Sequence, residues 1–167
     1  MYILKYDEVK AEIYQIDPNG KRVTISNDFP SKPIFSPDKK KAIYISPLEW
    51  ECQGSLYLYN LENGTIEEII APIKQDIPKY ALWIDNENIA VIIGFSYGTV
   101  SVGGNVYRYN VTNKALYKLS DYPNEIQITK LTKSENELEL TGIKYIDKNM
   151  EKFIEFNDKL SLVHPTK

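Results

Sequence analysis

The sequence contains one cysteine, Cys52, one histidine, His164, and two arginines, Arg22 and Arg108. A lone cysteine excludes an intramolecular disulfide framework and any multi-cysteine zinc or iron–sulfur site. A lone histidine near the end removes most histidine-based catalysis and metal binding. Neither a metal nor a cofactor is expected. Long apolar runs are also missing. Ile89-Ala90-Val91-Ile92-Ile93 is among the longest, whereas a membrane helix needs about 20 apolar residues. The start, Met1-Tyr2-Ile3-Leu4-Lys5-Tyr6-Asp7-Glu8, has no basic region, apolar segment or small-residue cleavage site, so it does not read as a signal peptide. With Met1 as the native start the expected location is cytoplasmic. A longer native N-terminus leaves an exported origin open. A basic excess is absent as well: the net charge is -3 over 167 residues, which argues against nucleic acid as a partner.

What is present is ordinary globular composition, 43% hydrophobic and 26% charged, enough apolar content to build a core. The length suits one domain. Tyr, Ile, Val and Thr come in short runs separated by Asn, Asp, Gly and Pro, which is the pattern of strands and turns. Alternation is plain in Leu56-Tyr57-Leu58-Tyr59, Val106-Tyr107-Arg108-Tyr109 and Glu137-Leu138-Glu139-Leu140. No long run has the 3.6-residue period of a helix.

The sequence repeats itself. Phe35 to Ser46 lies over Trp83 to Gly94, 48 residues on. A further shift of 48 puts Leu131 under Trp83, Leu138 under Ala90 and Gly142 under Gly94. Ser55 to Gly64 aligns with Asn105 to Lys114. Ile154-Glu155-Phe156-Asn157 reads as a third copy, with a tight hairpin at Asn157-Asp158, and Tyr14-Gln15-Ile16-Asp17 as a degenerate fourth. One unit is four antiparallel strands, the period of a propeller blade. Such a sheet is apolar on both faces and must stack on its neighbours. The expectation is an all-β, small or incomplete propeller: a partial blade at 1–29 and full blades at 30–71, 78–119 and 124–163. Fifteen strands fall one short of a four-bladed ring. An open end would expose a sheet face and invite dimerisation.

Phe35-Ser36-Pro37-Asp38-Lys39-Lys40-Lys41-Ala42-Ile43-Tyr44, followed by Leu56-Tyr57-Leu58-Tyr59-Asn60, resembles the propeller repeat of the TolB type, a WD40-like repeat. The second and third units depart from it at Ile84-Asp85-Asn86 and Thr132-Lys133-Ser134. The chain also resembles small, uncharacterised bacterial proteins built from such blades. The resemblance implies fold, and function only as a binding scaffold, because propellers host unrelated activities.

Gly94-Phe95-Ser96-Tyr97-Gly98 matches the G-x-S-x-G nucleophile pattern. The pattern requires a helix directly after the serine, and β-branched and glycine residues follow instead. The one candidate base is His164. A loop between the second and third strands of a blade is the favoured reading. Its four glycines, Gly94, Gly98, Gly103 and Gly104, could cradle an anion or form a mobile connection, and the latter is preferred. The equivalent loop one blade earlier carries Glu49, Trp50 and Glu51. An exposed Trp50 beside acids suits recognition, and a Trp50 folded onto the blade edge has equal standing. Phe35 and Trp83 are both expected in the core. The acidic pair Glu137/Glu139 reads as a solvated strand face, and Asn63-Gly64-Thr65 and Asn110-Val111-Thr112 as turns unless the chain is secreted.

The expected function is a non-enzymatic binding module for an unknown protein or small ligand, using loops 47–54, 95–104 and 143–150. The candidate contact residues are Glu49, Trp50, Phe95, Ser96, Tyr97 and Arg108. The alternative is a protein that sequesters a small, anionic or nucleotide-like ligand. A serine hydrolase ranks last.

Overall fold

A computed structural model describes residues 1–163 of the chain. Its strands are β1 (Ile3–Asp7), β2 (Glu12–Ile16), β3 (Arg22–Ser26), β4 (Ile34–Phe35), β5 (Lys41–Ser46), β6 (Ser55–Asn60) and β7 (Ile66–Ile70). They continue with β8 (Asp76–Trp83), β9 (Asn88–Phe95), β10 (Asn105–Asn110), β11 (Leu116–Lys118), β12 (Ile126–Lys133), β13 (Glu137–Tyr145) and β14 (Phe153–Ser161). They form four antiparallel sheets in chain order: sheet I (β1–β3), sheet II (β4–β7), sheet III (β8–β11) and sheet IV (β12–β14). No α-helix occurs among the described residues.

The turns repeat because one side chain organises each of them. Asp17, Asn60 and Asn110 end β2, β6 and β10 or follow directly. Each turns its side-chain oxygen onto backbone N–H groups two or more residues ahead: Asn19 and Lys21, Glu62, and Thr112 and Asn113. Such local bonds favour a turn over strand continuation. Asn63 likewise accepts from the Thr65 N–H, so both Asn-x-Thr triplets serve turn chemistry here.

Three apolar clusters join the sheets pairwise. Leu4 and Ile13 of sheet I pack with Ala42, Tyr44 and Tyr59 of sheet II. Ile43, Ile45 and Leu56 of sheet II pack with Trp83, Val91 and Tyr109 of sheet III. Ala90, Ile92 and Val106 of sheet III pack with Ile128, Leu131, Leu138 and Leu140 of sheet IV. The array is therefore an open, propeller-like stack. Its terminal sheets carry charged pairs. On sheet I, Arg22 lies 3.7 Å from the Tyr14 ring centroid and 2.7 Å from Glu12. On sheet IV, Lys159 lies 3.2 Å from Glu137 and 3.9 Å from Glu139. Terminal repeats of stacked arrays need such polar caps, and the Glu137/Glu139 pair belongs to one.

Two expectations are corrected. Asn157-Asp158 is not a hairpin. It lies inside β14, where Asn157 pairs with Thr141 and Asp158 with Leu140. Nine consecutive pairs with the long β13 hold this strand straight, so a local turn preference loses to the ladder. Sheet IV thus has three strands, and the described residues form fourteen strands rather than fifteen. Phe35 is not core either: it is 42% exposed, whereas Trp83 at the equivalent position is 6% exposed. Trp83 is covered by β4 of the preceding sheet, whose Ile34 carbonyl accepts its indole N–H at 2.8 Å. Sheet I has no counterpart of β4, so Phe35 lacks that cover.

Candidate functional site

Two equivalent loops, 47–54 after β5 and 96–104 after β9, meet at one end of the stack. Gln53 Nε2 donates to Ser96 Oγ at 2.6 Å. The Gly98 N–H donates to Glu51 Oε1 at 3.0 Å. Further along, Tyr145 at the end of β13 donates its hydroxyl to the Val100 carbonyl at 2.9 Å. The three loop regions expected on one face are linked by these contacts.

Between the first two loops and the start of β8 lies a cleft of about 320 Å³. Its apolar walls are Leu48, Trp50, Ile77, Pro78 and Val102, with Glu49, Glu51 and Ser96 among its polar groups. Trp50 is 66% exposed, which excludes the reading in which it folds onto the blade edge. Leu48, Phe95, Tyr97 and Val102 are exposed as well.

The glycines of the second loop have a structural cause. A Cβ at Gly94 would lie 2.0 Å from the Gly103 carbonyl oxygen, one at Gly103 would lie 2.0 Å from that of Ile128, and one at Gly104 would lie 2.0 Å from that of Ile93. Gly104 and Ile128 exchange backbone hydrogen bonds at 3.1 Å, each N–H donating to the other carbonyl. The Gly103 N–H donates to Gln127 Oε1 at 3.1 Å. Glycine is required where two backbones approach this closely. The loop is tied to sheet IV through donors that an anion cradle would need free, so neither the cradle nor the mobile connection describes its base.

Lys79 forms part of the cleft wall. It is the extra residue of a β-bulge, between Pro78 paired with Ile93 and Tyr80 paired with Ile92. A bulge re-aims a side chain relative to the strand. The ammonium donates to the Ser101 carbonyl. Burial pushes its pKa down to about 8, and the nearby Asp76 charge offsets only part of that shift.

Of the candidate contact residues, Glu49, Trp50 and Ser96 line this cleft. Phe95 and Tyr97 do not line it: their ring centroids lie 5.8 Å apart, edge-to-face, and Phe95 lines a separate hollow with Asp76 and Gly103. Arg108 is not brought to them. It lies opposite Ala90 on β10, lining a separate hollow with Asp85, Asn88, Asn110 and Leu160. There its charge adds to hydrogen bonds from Glu87 and Asn88 that hold Asp85 below the usual carboxylate range despite partial desolvation. Ser96 is 9% exposed, and the amide that bonds its hydroxyl cannot act as a base. His164 lies outside the described residues. Sequence reasoning missed Lys79, Gln53 and Gln127. The available signal for Lys79 was the Pro78-Lys79 pair within an otherwise apolar strand, since Pro marks bulges and edges.

Among the described residues, no cluster of three His, Cys, Asp or Glu side chains could hold a metal ion, and no helix is long and apolar enough to cross a membrane. The comparison with curated proteins gives no match. Among solved structures, the chain is similar to a protein of Clostridium novyi NT described as a conserved lipoprotein, with 25% identity and a TM-score of 0.74 over 80% of this chain and 88% of that one. It is also similar to the β-propeller domain of the Trilobed protease from Pyrococcus furiosus, which has an open velcro topology. Identity there is 11% and the TM-score 0.55, over 99% of this chain and 53% of that one. A protein of Agrobacterium tumefaciens described as a TolB matches at 13% identity and a TM-score of 0.56, over 93% of this chain and 60% of that one. The TolB-like, propeller-like fold read from the repeats is thus the fold of the chain. A family model covers residues 51–160, and the chain belongs to that family, the domain of unknown function DUF4652.

Proposed function

We propose that the chain is a non-enzymatic recognition module that binds its partner at the cleft between loops 47–54 and 96–104. The observation that carries this reading is the set of large exposed apolar side chains, Leu48, Trp50 and Val102, that line one cleft. Scattered exposed apolar residues need no explanation, but a gathered patch over a concave surface marks a binding site. The loops that carry it are fixed to each other by side-chain hydrogen bonds, which lowers the entropy lost on binding. The engaged Ser96 hydroxyl supports binding over acyl transfer. The similarity to a protein described as a lipoprotein supports an exported setting for this face.

The test is native mass spectrometry of the chain and of a Trp50→Ala/Tyr97→Ala double variant, each passed through the same extract of the source organism. A defined small-mass adduct or protein complex held by the native chain and lost from the folded double variant supports the reading. Equal retention by both, or none by either, overturns it.

A further inference from the structure

A charged side chain held in an apolar cleft gives the ligand a chemical signature. We infer that the cleft binds a small amphipathic monocarboxylate, its carboxylate on the Lys79 ammonium and its apolar part against Leu48, Trp50 and Val102. This names a ligand class for the proposed recognition site and rests on that reading.

The geometry comes from the bulge. Without an inserted residue at 79, β8 would continue the alternation set by its ladder with β9. The insertion places Lys79 in the wall of the cleft and also in that of a second cavity, of about 160 Å³. Leu48 is the other residue shared by the two spaces. The second cavity is walled mainly by Ile34, Ile43, Ile45, Leu56 and Ala81, with Lys32 and Lys79 as its charged residues. Among small-molecule sites, which span about 300–1,000 Å³, the cleft lies at the lower end, which suits a short chain or a single ring.

Charge selects the head group. In a partly desolvated cleft an ammonium–carboxylate hydrogen bond is stronger than on the surface. The groups around the amine are Asp76 on its own strand, Glu49 and Glu51 on the neighbouring loop and Lys32 at the second cavity. Lys32 is paired with Glu8. Asp76 and the two glutamates weaken the attraction of Lys79 for any anion, and twice as strongly for a dianion such as a phosphate ester as for a single negative charge. The Lys79 amine, lowered to about 8 by burial, is still mostly protonated at pH 7.

The probe is sodium octanoate, titrated calorimetrically into the intact chain and into Lys79→Met and Lys79→Arg, with 1-octanol and adenosine monophosphate as comparators. Thermal unfolding of each variant establishes that it folds. Saturable octanoate binding is expected in the native chain, at least tenfold weaker in Lys79→Met and largely retained in Lys79→Arg, with 1-octanol indifferent to all three. Octanoate affinity should fall at least tenfold between pH 7 and pH 10 in the native chain, and stay flat in Lys79→Met. No octanoate binding, equal binding by Lys79→Met, or tighter binding of adenosine monophosphate overturns the inference. If octanoate fails while a Trp50-dependent adduct persists in the mass spectra, the ligand class is wrong and the recognition site stands.

Discussion

Gln53 donates its side-chain N–H to the Ser96 hydroxyl oxygen across 2.6 Å, joining the same loop of two consecutive sheets. The contact gives Ser96 a structural role. Ser96→Ala should lower stability by about 1 kcal/mol, the net value of one hydrogen bond, read as a shift of the urea midpoint with unchanged slope. An unchanged midpoint, together with loss of an esterase activity, would restore Ser96 as a nucleophile.

The glycines of the second loop should differ sharply in tolerance. At Gly103 a methyl group would lie 2.0 Å from the Ile128 carbonyl oxygen, and relief of that clash breaks the bridge between Gly104 and Ile128. Gly103→Ala should cost about 2–4 kcal/mol through overpacking and the lost bridge. Gly98 has φ near +79° and open space around it, so Gly98→Ala should cost only about 1 kcal/mol of backbone strain. Chemical denaturation of both variants measures the gap. Equal, small losses would mean that the loop base is not held against sheet IV.

The two tryptophans report on different environments. Trp50 is 66% exposed and Trp83 is 6% exposed, with its N–H bonded to Ile34. Acrylamide should quench the emission of Trp83→Phe strongly and that of Trp50→Phe weakly. Trp50→Ala should leave stability within about 0.5 kcal/mol of the native chain, as surface substitutions usually do, while Trp83→Ala should lose about 3–5 kcal/mol. Strong quenching of Trp83 would contradict the packing of sheet II on sheet III.

Lys79 also makes stability depend on pH. Its folded pKa, about 8, lies below the unfolded value of about 10.4, so between these values the unfolded chain binds more protons. Stability attributable to this group therefore rises with pH across that window, and below it the buried charge is a fixed penalty. Lys79→Met should be more stable than the native chain at pH 7, by about 1 kcal/mol once solvent screening of the half-exposed amine is allowed for. The difference should shrink as pH rises toward 10.5. Paired thermal melts at pH 7, 8.5 and 10 measure it, and a constant or widening difference would refute the burial of the amine.

Much of the architecture was legible because it is repeated. The Asp38 N–H donates to Asn86 Oδ1 at 2.9 Å, and the two residues are 48 positions apart, the same offset that aligns Phe35 with Trp83. Period-2 patterns and Asx turns act locally, so sheets II and III could be read directly. The ends of the array could not, because there the neighbours decide. Asn157-Asp158 looks like a hairpin alone and is straightened by β13; Phe35 looks like core and is left uncovered by sheet I. At the candidate site, Glu49, Trp50 and Ser96 line one cleft, as equivalent loops sharing a face of a propeller would place them. Arg108 was misplaced because an alternating strand does not reveal which sheet each side faces. Lys79 went unnoticed because Pro78 marks a bulge or an edge without saying which, and the pairing across the ladder that settles it is not written in one strand's residues.

The most direct test of the central claim is a proton–nitrogen correlation spectrum of the labelled chain recorded during octanoate addition. Shifts confined to residues 47–54, 77–80 and 96–102, saturating together and abolished by Lys79→Met, are the predicted result. Shifts centred instead on Arg108, Asp85 and Asn110, or no shifts at all, would contradict the assignment of the loop face as the binding surface for this acid.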